Sequence, residues 1–291
     1  MTEGYQGLRH GAAWMDLSAR GRIVARGRDR ARLLHALTSN EVKKMTPGSG
    51  CYAFLLSPQG RIQADLYLFC FDDYFLIDTE PEVREKVLQH IKRYIIADQV
   101  ELEDVTATTG CVGLEGPGAA AILASLGAAI PGADYSHVKW GERTVAAVTA
   151  TGQPGVRIFC APAEIAEVVR QLEAAGAKAA GEEDVRTVRI ENGRPRYGVD
   201  IRDTSLPQET QQMHAVSFTK GCYLGQEIVE RIRAQGRVNK KLTRVELDGV
   251  EAPAPGTKTE VDGQEAEVTS AVLSPESGRV VALAYVRTPR T

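Results

Sequence analysis

One hairpin signal early in the chain constrains the fold more than any other feature of the sequence. Two apolar, aromatic-rich runs, residues 52–56 and 62–71, are separated by Ser57-Pro58-Gln59-Gly60. A proline and a glycine between two such runs are typical of a tight turn. The sequence therefore predicts two antiparallel strands joined directly to each other.

The elements after this hairpin predict the fold class. Residues 74–78 form a further strand-like run, and Pro81 opens a stretch with helical spacing of apolar residues: Val83, Val87, Leu88, Ile91 and Ile95. Residues 100–105 return to a strand pattern. This order of two strands, a helix and a further strand favours an α+β subdomain over a doubly wound parallel sheet.

The second half of the domain has a similar mixture. Strands are predicted over 111–114, 138–150 and 156–160, and helices over 116–126, 162–172 and 181–191. Residues 192–200 are irregular and lead on towards residue 220. We predict one α+β domain over residues 1–239, built from two subdomains.

A small all-β module is predicted over residues 240–291. Val245 and Leu247 alternate with polar residues, and Asp248-Gly249 and Asp262-Gly263 are both hairpin signals. The module is expected to resemble a β-barrel.

Composition and charge exclude several classes of protein. The 291 residues are 43% hydrophobic and 25% charged, with a net charge of −3, which is ordinary for a globular protein and argues against a general nucleic-acid or membrane-surface binder. The start of the sequence lacks the basic-then-apolar order of a secretory signal. We expect a cytoplasmic protein with no membrane partner and no direct nucleic-acid partner.

The cysteines predict neither a disulfide framework nor a metal centre. All five are widely spaced, and the five histidines show no metal-ligand spacing. Cys70 and Cys160 lie in apolar runs and are expected to be buried. Cys222 lies among polar and basic residues, and one thiolate is too few to hold an iron–sulfur cluster.

The stretch around Cys222, Lys-Gly-Cys-Tyr-Leu-Gly-Gln-Glu over residues 220–227, is called the octapeptide below. It is dense in reactive groups. On spacing alone, a turn leading into a helix is favoured, with the polar groups in water.

The octapeptide resembles the signature Lys-Gly-Cys-Tyr-x-Gly-Gln-Glu of the YgfZ family of folate-binding proteins, which is similar to the aminomethyltransferase (T-protein) of the glycine cleavage system. The resemblance implies a T-protein-like domain of intertwined α+β subdomains. It implies tetrahydrofolate, or a one-carbon derivative, as the cofactor. It also implies support of iron–sulfur cluster assembly or repair in client enzymes, including tRNA-modifying ones. The alternatives are a folate-dependent aminomethyl or one-carbon transferase and a folate-regulated scaffold without chemistry.

Two acids are candidate folate contacts by this resemblance. Tyr52 and Asp65 match a T-protein stretch whose aspartate contacts folate, although T-proteins usually have Asp-Asp where this chain has Ala64-Asp65. Residues 189–193 match a run whose glutamate, here Glu191, binds the pterin. A carboxylate suits the paired donors of the pterin amino group and N3–H. Without the resemblance, Glu191 would be interpreted as a surface acid at a helix end.

The octapeptide supplies most of the remaining predicted site residues. Cys222, Lys220 and Asp65 are the predicted catalytic residues, since Lys220 and a helix start at Gln226 would favour the thiolate. The further predicted folate contacts are Tyr197, Tyr223, Gln226, Glu227 and Arg231.

Two stretches of the chain are rich in basic residues. Residues 220–244 hold seven lysines or arginines against two acids, and six arginines fall between Arg20 and Arg32. For the first stretch, a solvated helix and a site for the anionic folate tail are ranked equally. RNA is third because Tyr223 is the single aromatic there. For the second stretch, a solvated face is preferred.

Overall fold

The computed structural model describes residues 1–289 and has the α+β composition that the sequence predicts. The strands are β1 Ala13–Asp16, β2 Gly21–Arg26, β3 Gly50–Leu56, β4 Ile62–Cys70, β5 Tyr74–Thr79, β6 Glu101–Asp104, β7 Gly110–Glu115, β8 His137–Trp140, β9 Arg143–Ala146, β10 Gly155–Cys160, β11 Lys178–Ala179, β12 Lys240–Leu247, β13 Lys258–Val261, β14 Gln264–Leu273 and β15 Val280–Arg287. The α-helices are α1 Glu3–His10, α2 Arg30–Leu37, α3 Arg84–Arg93, α4 Ala119–Ser125, α5 Ile165–Ala174, α6 Glu182–Glu191, α7 Pro207–Thr210 and α8 Gln226–Gln235.

The first sheet contains the predicted hairpin. Its strand order is β3-β4-β5-β2-β6, and β3 pairs antiparallel with β4 across the turn at residues 57–60. Helices α2 and α3 cover one face, where Leu34 and Ile91 are fully buried against the strands. The predictions for this part of the chain are confirmed, because short turns and apolar runs decide local pairing.

The second sheet explains why the two subdomains are intertwined. Its order is β11-β1-β7-β10-β9-β8, so β1 joins this sheet before the chain builds the first sheet and returns at β7. The single strand predicted over 138–150 is instead the hairpin β8–β9, which turns at Gly141 with φ +60°. Helix α1 and strand β1 were not predicted from the sequence.

The third sheet forms the C-terminal module. Asp262 and Gly263 both have positive φ, 49° and 74°, and join β13 to β14 as predicted. The hairpin predicted at Asp248-Gly249 is wrong, because β12 pairs with β15 and the chain crosses the sheet to reach β13. With β12 and β13 at its edges, the sheet is open rather than a closed barrel within residues 1–289.

All three sheets share one buried core. Phe69 of the first sheet lies 5.6 Å from Phe159 of the second, ring centroid to ring centroid. Tyr285 of the third sheet joins the same core and bonds to Ser205 at 2.9 Å. The predicted boundary at residue 239 coincides with the start of β12, yet the module packs directly on the rest. The division into two domains stays a prediction.

Two of the six early arginines correct the solvated-face interpretation. Arg22 is fully buried and donates to the carbonyls of Ser18, Thr106 and Thr109 at 2.7 to 2.9 Å. Arg20 is also buried, and it pairs with Asp78 of β5 and with Glu80, which follows the end of that strand. A run of like charges cannot reveal this, because burial depends on partners far away in the sequence.

Candidate functional site

Strand β4 presents two different faces, and this positions the candidate site. Tyr67 and Phe69 point into the core where the three sheets meet, whereas Ala64 and Leu66 pack towards α2 and α3. Alternation along the strand places Asp65 on the side of Tyr67. Asp65 is therefore an acid held inside the shared core, only 6% exposed.

The carboxylate of Asp65 is only partly satisfied. The hydroxyl of Tyr52 donates to Oδ2 at 2.9 Å, and the Thr79 hydroxyl donates to the Asp65 backbone carbonyl at 2.8 Å. The other oxygen, Oδ1, is buried and has no hydrogen-bond partner among residues 1–289. A buried acceptor without a donor is costly, so this oxygen marks a place where a bound group would donate.

Aromatic rings surround this acid. The Tyr52 ring lies 5.0 Å from that of Tyr67 and 5.3 Å from the imidazole of His214, with 25° between the last two planes. Tyr135 lies 6.1 Å from Tyr67 and is nearly parallel to His214 at 6.3 Å. We call Asp65, Tyr52, Tyr67, Tyr135 and His214 the Asp65 cluster.

A cavity adjoins the Asp65 cluster. It has a volume of about 360 Å³ and is lined by Asp134, Tyr135, Arg194 and the loop around residues 147–155. Arg194 also donates to the Tyr67 hydroxyl at 2.8 Å, which connects the cavity wall to the cluster. A volume of this size falls within the range of small-molecule sites.

The pKa of Asp65 is tuned towards neutral pH. Burial raises it from 3.8 to about 6, and the negative charge of Glu80 adds to the rise. The Arg20 cation and the bond from Tyr52 act in the opposite direction. A carboxyl that titrates near pH 6 can exchange a proton under ordinary conditions.

The neighbouring groups stay neutral. Burial, and then the charge of Arg194, lower the pKa of His214. Burial, and then the charge of Asp65, raise the pKa of Tyr52 well above its usual value. The phenol therefore keeps the proton with which it bonds to Asp65.

A buried network of ion pairs lies beside the Asp65 cluster. Asp78 is fully buried in β5 and accepts from Arg20 at 2.7 Å and from Arg157 of β10 at 2.8 Å, so it joins the first two sheets. Burial acts to raise the pKa of Glu80, yet the cations Arg20 and Arg196 hold it at about 2. Glu80 thus stays charged and acts on Asp65 from a fixed position.

Glu191 lies at the end of α6, away from these contacts. Its Oε1 accepts from the Tyr5 hydroxyl at 2.8 Å and from the Ser274 hydroxyl at 2.6 Å, and Arg9 lies 3.7 Å from Oε2. None of these partners belongs to the Asp65 cluster. Glu191 is thus buried, not a surface acid, and it ties α1, α6 and the third sheet together.

The octapeptide is divided between buried and exposed residues. Cys222 is exposed, whereas Cys51, Cys70, Cys111 and Cys160 are buried, which confirms the prediction for Cys70 and Cys160. Tyr223 is buried in the core shared by the three sheets.

Lys220 corrects a prediction made from the octapeptide alone. Its amino group is turned inwards and donates to three main-chain carbonyls at the end of α2. Sequence adjacency suggested an ammonium beside the Cys222 thiol, but these carbonyls hold it instead.

The second half of the octapeptide packs on the β3–β4 turn. A Cβ at Gly225, which has φ +82°, would lie 2.5 Å from the Ser57 carbonyl, so only glycine fits. Helix α8 then begins at Gln226, as predicted. Glu227 and Arg231 are exposed on α8. This turn lies five residues from Asp65 along β4, roughly 16 Å in an extended strand.

Tyr197 lies close to the strand that carries Asp65. Its hydroxyl donates to the carbonyl of Gln63 at 2.7 Å, and its ring is buried in the shared core. Of the predicted site residues, Tyr52, Asp65 and Tyr197 therefore come together, with Tyr223 in the same core.

Four residues of the site and cavity were not predicted from the sequence. Tyr67, Tyr135, His214 and Arg194 belong to no recognised motif, and they come from separate segments. The usable signals were weak: Tyr67 follows Asp65 by two on one strand face, and Arg194 lies in the irregular stretch after α6.

Residues 1–289 contain no group of three or more histidine, cysteine, aspartate or glutamate side chains placed to hold a metal ion. None of their helices combines the length and apolar character needed to cross a membrane.

One solved structure shows the same architecture. The crystal structure of the glycine cleavage system aminomethyltransferase T from Bartonella henselae matches with a TM-score of 0.88, over 98% of this chain and 81% of that chain. At 18% sequence identity, this likeness establishes the T-protein fold.

Sequence comparisons show the family. The aminomethyltransferase of Rubrobacter xylanophilus is 32% identical over 290 residues, covering 97% of this chain and 78% of that protein. The aminomethyltransferase of Geobacillus kaustophilus is 29% identical over 304 residues, covering 99% and 82%. Residues 1–220 match the family described as GCVT N-terminal domain. The chain therefore belongs to the GCVT family, whose members include these aminomethyltransferases.

Proposed function

We propose that the chain binds tetrahydrofolate at the Asp65 cluster and acts as a folate-dependent aminomethyl or one-carbon transferase. The observation that carries this proposal is Asp65 Oδ1, a buried acceptor that has no donor among the described residues. Relatives named aminomethyltransferase over nearly the whole chain support it.

The chemistry of the cluster fits a pterin. A pterin carries adjacent N–H donors, and a carboxylate with a free oxygen accepts them with charge-assisted bonds. The exposed imidazole of His214, which stacks on the buried Tyr52 ring, offers a face on which a flat heterocycle can stack. The cavity beside Tyr135 and Arg194 provides room for the remainder of the molecule.

The proton exchange at Asp65 suits group transfer. Tetrahydrofolate, when bound, supplies the nitrogen that carries the one-carbon unit. Asp65 would hold the ring and exchange a proton near it, because its pKa of about 6 lies close to neutral pH. Tyr52 would orient the carboxylate through its bond to Oδ2.

The departure from the Asp-Asp pattern does not weaken the cluster itself. Ala64 lies on the opposite face of β4, packed towards α2 and α3. An acid at position 64 would point away from Asp65, since neighbouring residues of a strand alternate in direction. Its absence therefore removes no group from the Asp65 side.

The other predicted folate contacts lie in different surroundings. Both oxygens of Glu191 already accept from Tyr5, so a pterin contact would be added to existing bonds. Tyr197 and Tyr223 lie in the core that contains Tyr52. For Gln226, Glu227 and Arg231 the resemblance is the only support.

A second candidate function follows from Cys222. It is the exposed cysteine of the chain and lies in the octapeptide that resembles the YgfZ signature. We propose, as the alternative, that the folate-bound protein supports iron–sulfur clusters in client proteins through this thiol. The thiol alone cannot hold a cluster, so the client would supply the remaining ligands.

One pair of assays tests both candidates. Purified protein with tetrahydrofolate and an aminomethyl donor should form methylenetetrahydrofolate, and the Asp65→Asn variant should not. Loss of client iron–sulfur enzyme activity in Cys222→Ala, with no one-carbon transfer in the wild type, would instead favour the second candidate. If neither occurs while folate still binds, both candidates fail and the scaffold remains.

A further inference from the structure

Lys220 has an unusual environment for a lysine. It is only 6% exposed, and its Nζ lies 2.5 Å from the carbonyl oxygens of His35 and Thr38 and 2.8 Å from that of Asn40. An ammonium group has three N–H donors and no acceptor. All three donors are therefore used by three main-chain carbonyls.

These carbonyls lie at and just beyond the end of α2, which stops at Leu37. The last carbonyls of a helix have no partner within the helix and carry partial negative charge. A buried cation at this point satisfies them and compensates that charge. The contact joins the octapeptide to a segment 180 residues earlier in the chain.

The segment held by Lys220 also holds the Asp65 cluster. The Asn40 side chain donates to the carbonyl of Tyr52 at 2.8 Å and to that of His214 at 2.9 Å. The Ser39 hydroxyl donates to the carbonyl of Ala215 at 2.6 Å. Residues 38–40 therefore fix the main chain of two ring-bearing residues of the cluster.

We propose that Lys220 is a positioning residue for the folate site, which it orders by clamping residues 38–40 and, through Asn40, the main chain at Tyr52 and His214. This inference rests on the proposed function for its ligand. In this proposal Lys220 maintains the geometry of the pocket, and the exposed thiol of Cys222 is a separate feature of the same loop.

The clamp requires the charged form of Lys220. Burial lowers the pKa of Lys220 to about 8, while Glu41 and Cys51 nearby act in the opposite direction. The other groups that face it are His35, whose Nδ1 lies 3.0 Å from a Glu41 carboxylate oxygen, and the Tyr223 ring, 4.9 Å from Nζ. A neutral amine has two N–H donors, so above about pH 8 one carbonyl loses its partner.

The test compares Lys220→Met with the matched control Lys241→Met, a lysine exposed on β12. Amide hydrogen exchange is followed in peptides covering residues 52–54 and 214–217. There, the Phe54 and Ser217 amides donate to Ser39. Tetrahydrofolate affinity is measured by calorimetry at pH 7 and pH 9 on the full chain.

We expect Lys220→Met, which removes all three donors, to exchange faster in both peptides and to bind tetrahydrofolate more weakly at pH 7 by roughly fivefold or more, since one net hydrogen bond is worth about that factor. The wild type loses one donor when Lys220 deprotonates, so its affinity should fall by a smaller factor between pH 7 and pH 9, and Lys220→Met should not change over that range. Exchange and affinity equal to those of Lys241→Met would overturn the inference.

Two arrangements keep the test decisive. If Lys220→Met does not fold, the same clamp is tested by amide exchange in Asn40→Ala, and by exchange in the wild type at pH 7 and pH 9 after correction for intrinsic rates. Amide protection that is unchanged in the variant and unchanged between the two pH values would refute the clamp. If the wild type binds no tetrahydrofolate, the proposed function fails, and the exchange data alone decide whether Lys220 positions the segment.

Discussion

Replacing Asp65 by asparagine removes the charge on which the proposed folate site depends while keeping its shape. The amide can still accept from Tyr52, so the packing of the cluster is largely preserved. What is lost is a charged acceptor, Oδ1, for the pterin donors. Hydrogen bonds to charged groups contribute about 1.5–3 kcal/mol, which corresponds to roughly 10-fold to 150-fold weaker binding.

The assay is calorimetric titration with tetrahydrofolate at pH 7.5 under reducing conditions. Asp73→Asn is the matched control, since Asp73 lies in the turn between β4 and β5, is exposed and pairs with Arg26. The control should bind like the wild type. A dissociation constant for Asp65→Asn within twofold of the wild type would refute the assignment of Asp65.

The same titration has a defined pH dependence. If the ionised form of Asp65 binds the pterin, wild-type affinity should fall as the pH drops through about 6, where the carboxyl takes up its proton. Asp65→Asn should show no such fall, because it has no proton to take up. A pH dependence that persists in the variant would assign the titration to another group.

Four further outcomes are expected. Tyr52→Phe removes the bond that lowers the pKa of Asp65, so the acid limb of the binding profile should move above pH 6, with roughly fivefold to tenfold weaker binding at pH 7. Glu191→Gln should lower the free energy of unfolding by about 1–3 kcal/mol, measured by urea denaturation against the exposed control Glu183→Gln, and should weaken folate binding less than Asp65→Asn does. Folded Asp65 keeps its proton up to about pH 6, whereas unfolded Asp65 releases it near pH 3.8. The contribution of Asp65 to the free energy of unfolding is therefore present below pH 4 and is lost as the pH rises to 6, by at most about 3 kcal/mol. The Asp65→Asn variant should lack this pH dependence. Alkylation should modify Cys222 first in the native protein, and Cys222→Ala should abolish the rapid phase; rapid labelling that survives the substitution would mean that a buried cysteine opens readily.

The local elements could be predicted because local chemistry determines them. The β3–β4 hairpin and the Asp262-Gly263 turn follow from proline, glycine and short apolar runs. Local sequence predicted a hairpin at Asp248-Gly249 wrongly, because β12 pairs with β15, which begins more than thirty residues later in the chain. The same limit applies to β1, which pairs with β7 across the whole first sheet.

The site was predicted in part for a similar reason. Asp65 and Tyr52 are diagonal neighbours on adjacent strands, joined by a hydrogen bond, and the resemblance pointed to both. His214 and Arg194 reach the same place from distant segments, and no spacing in the sequence links them. The inward direction of Lys220 depends on carbonyls of α2, which adjacency to Cys222 could not indicate.

A crystal structure with tetrahydrofolate tests the central claim most directly. The account predicts the pterin against the Asp65 cluster, with a ring nitrogen about 2.7–3.0 Å from Asp65 Oδ1 and one face on the His214 ring. Tetrahydrofolate bound elsewhere, with Oδ1 still without a donor, would contradict it.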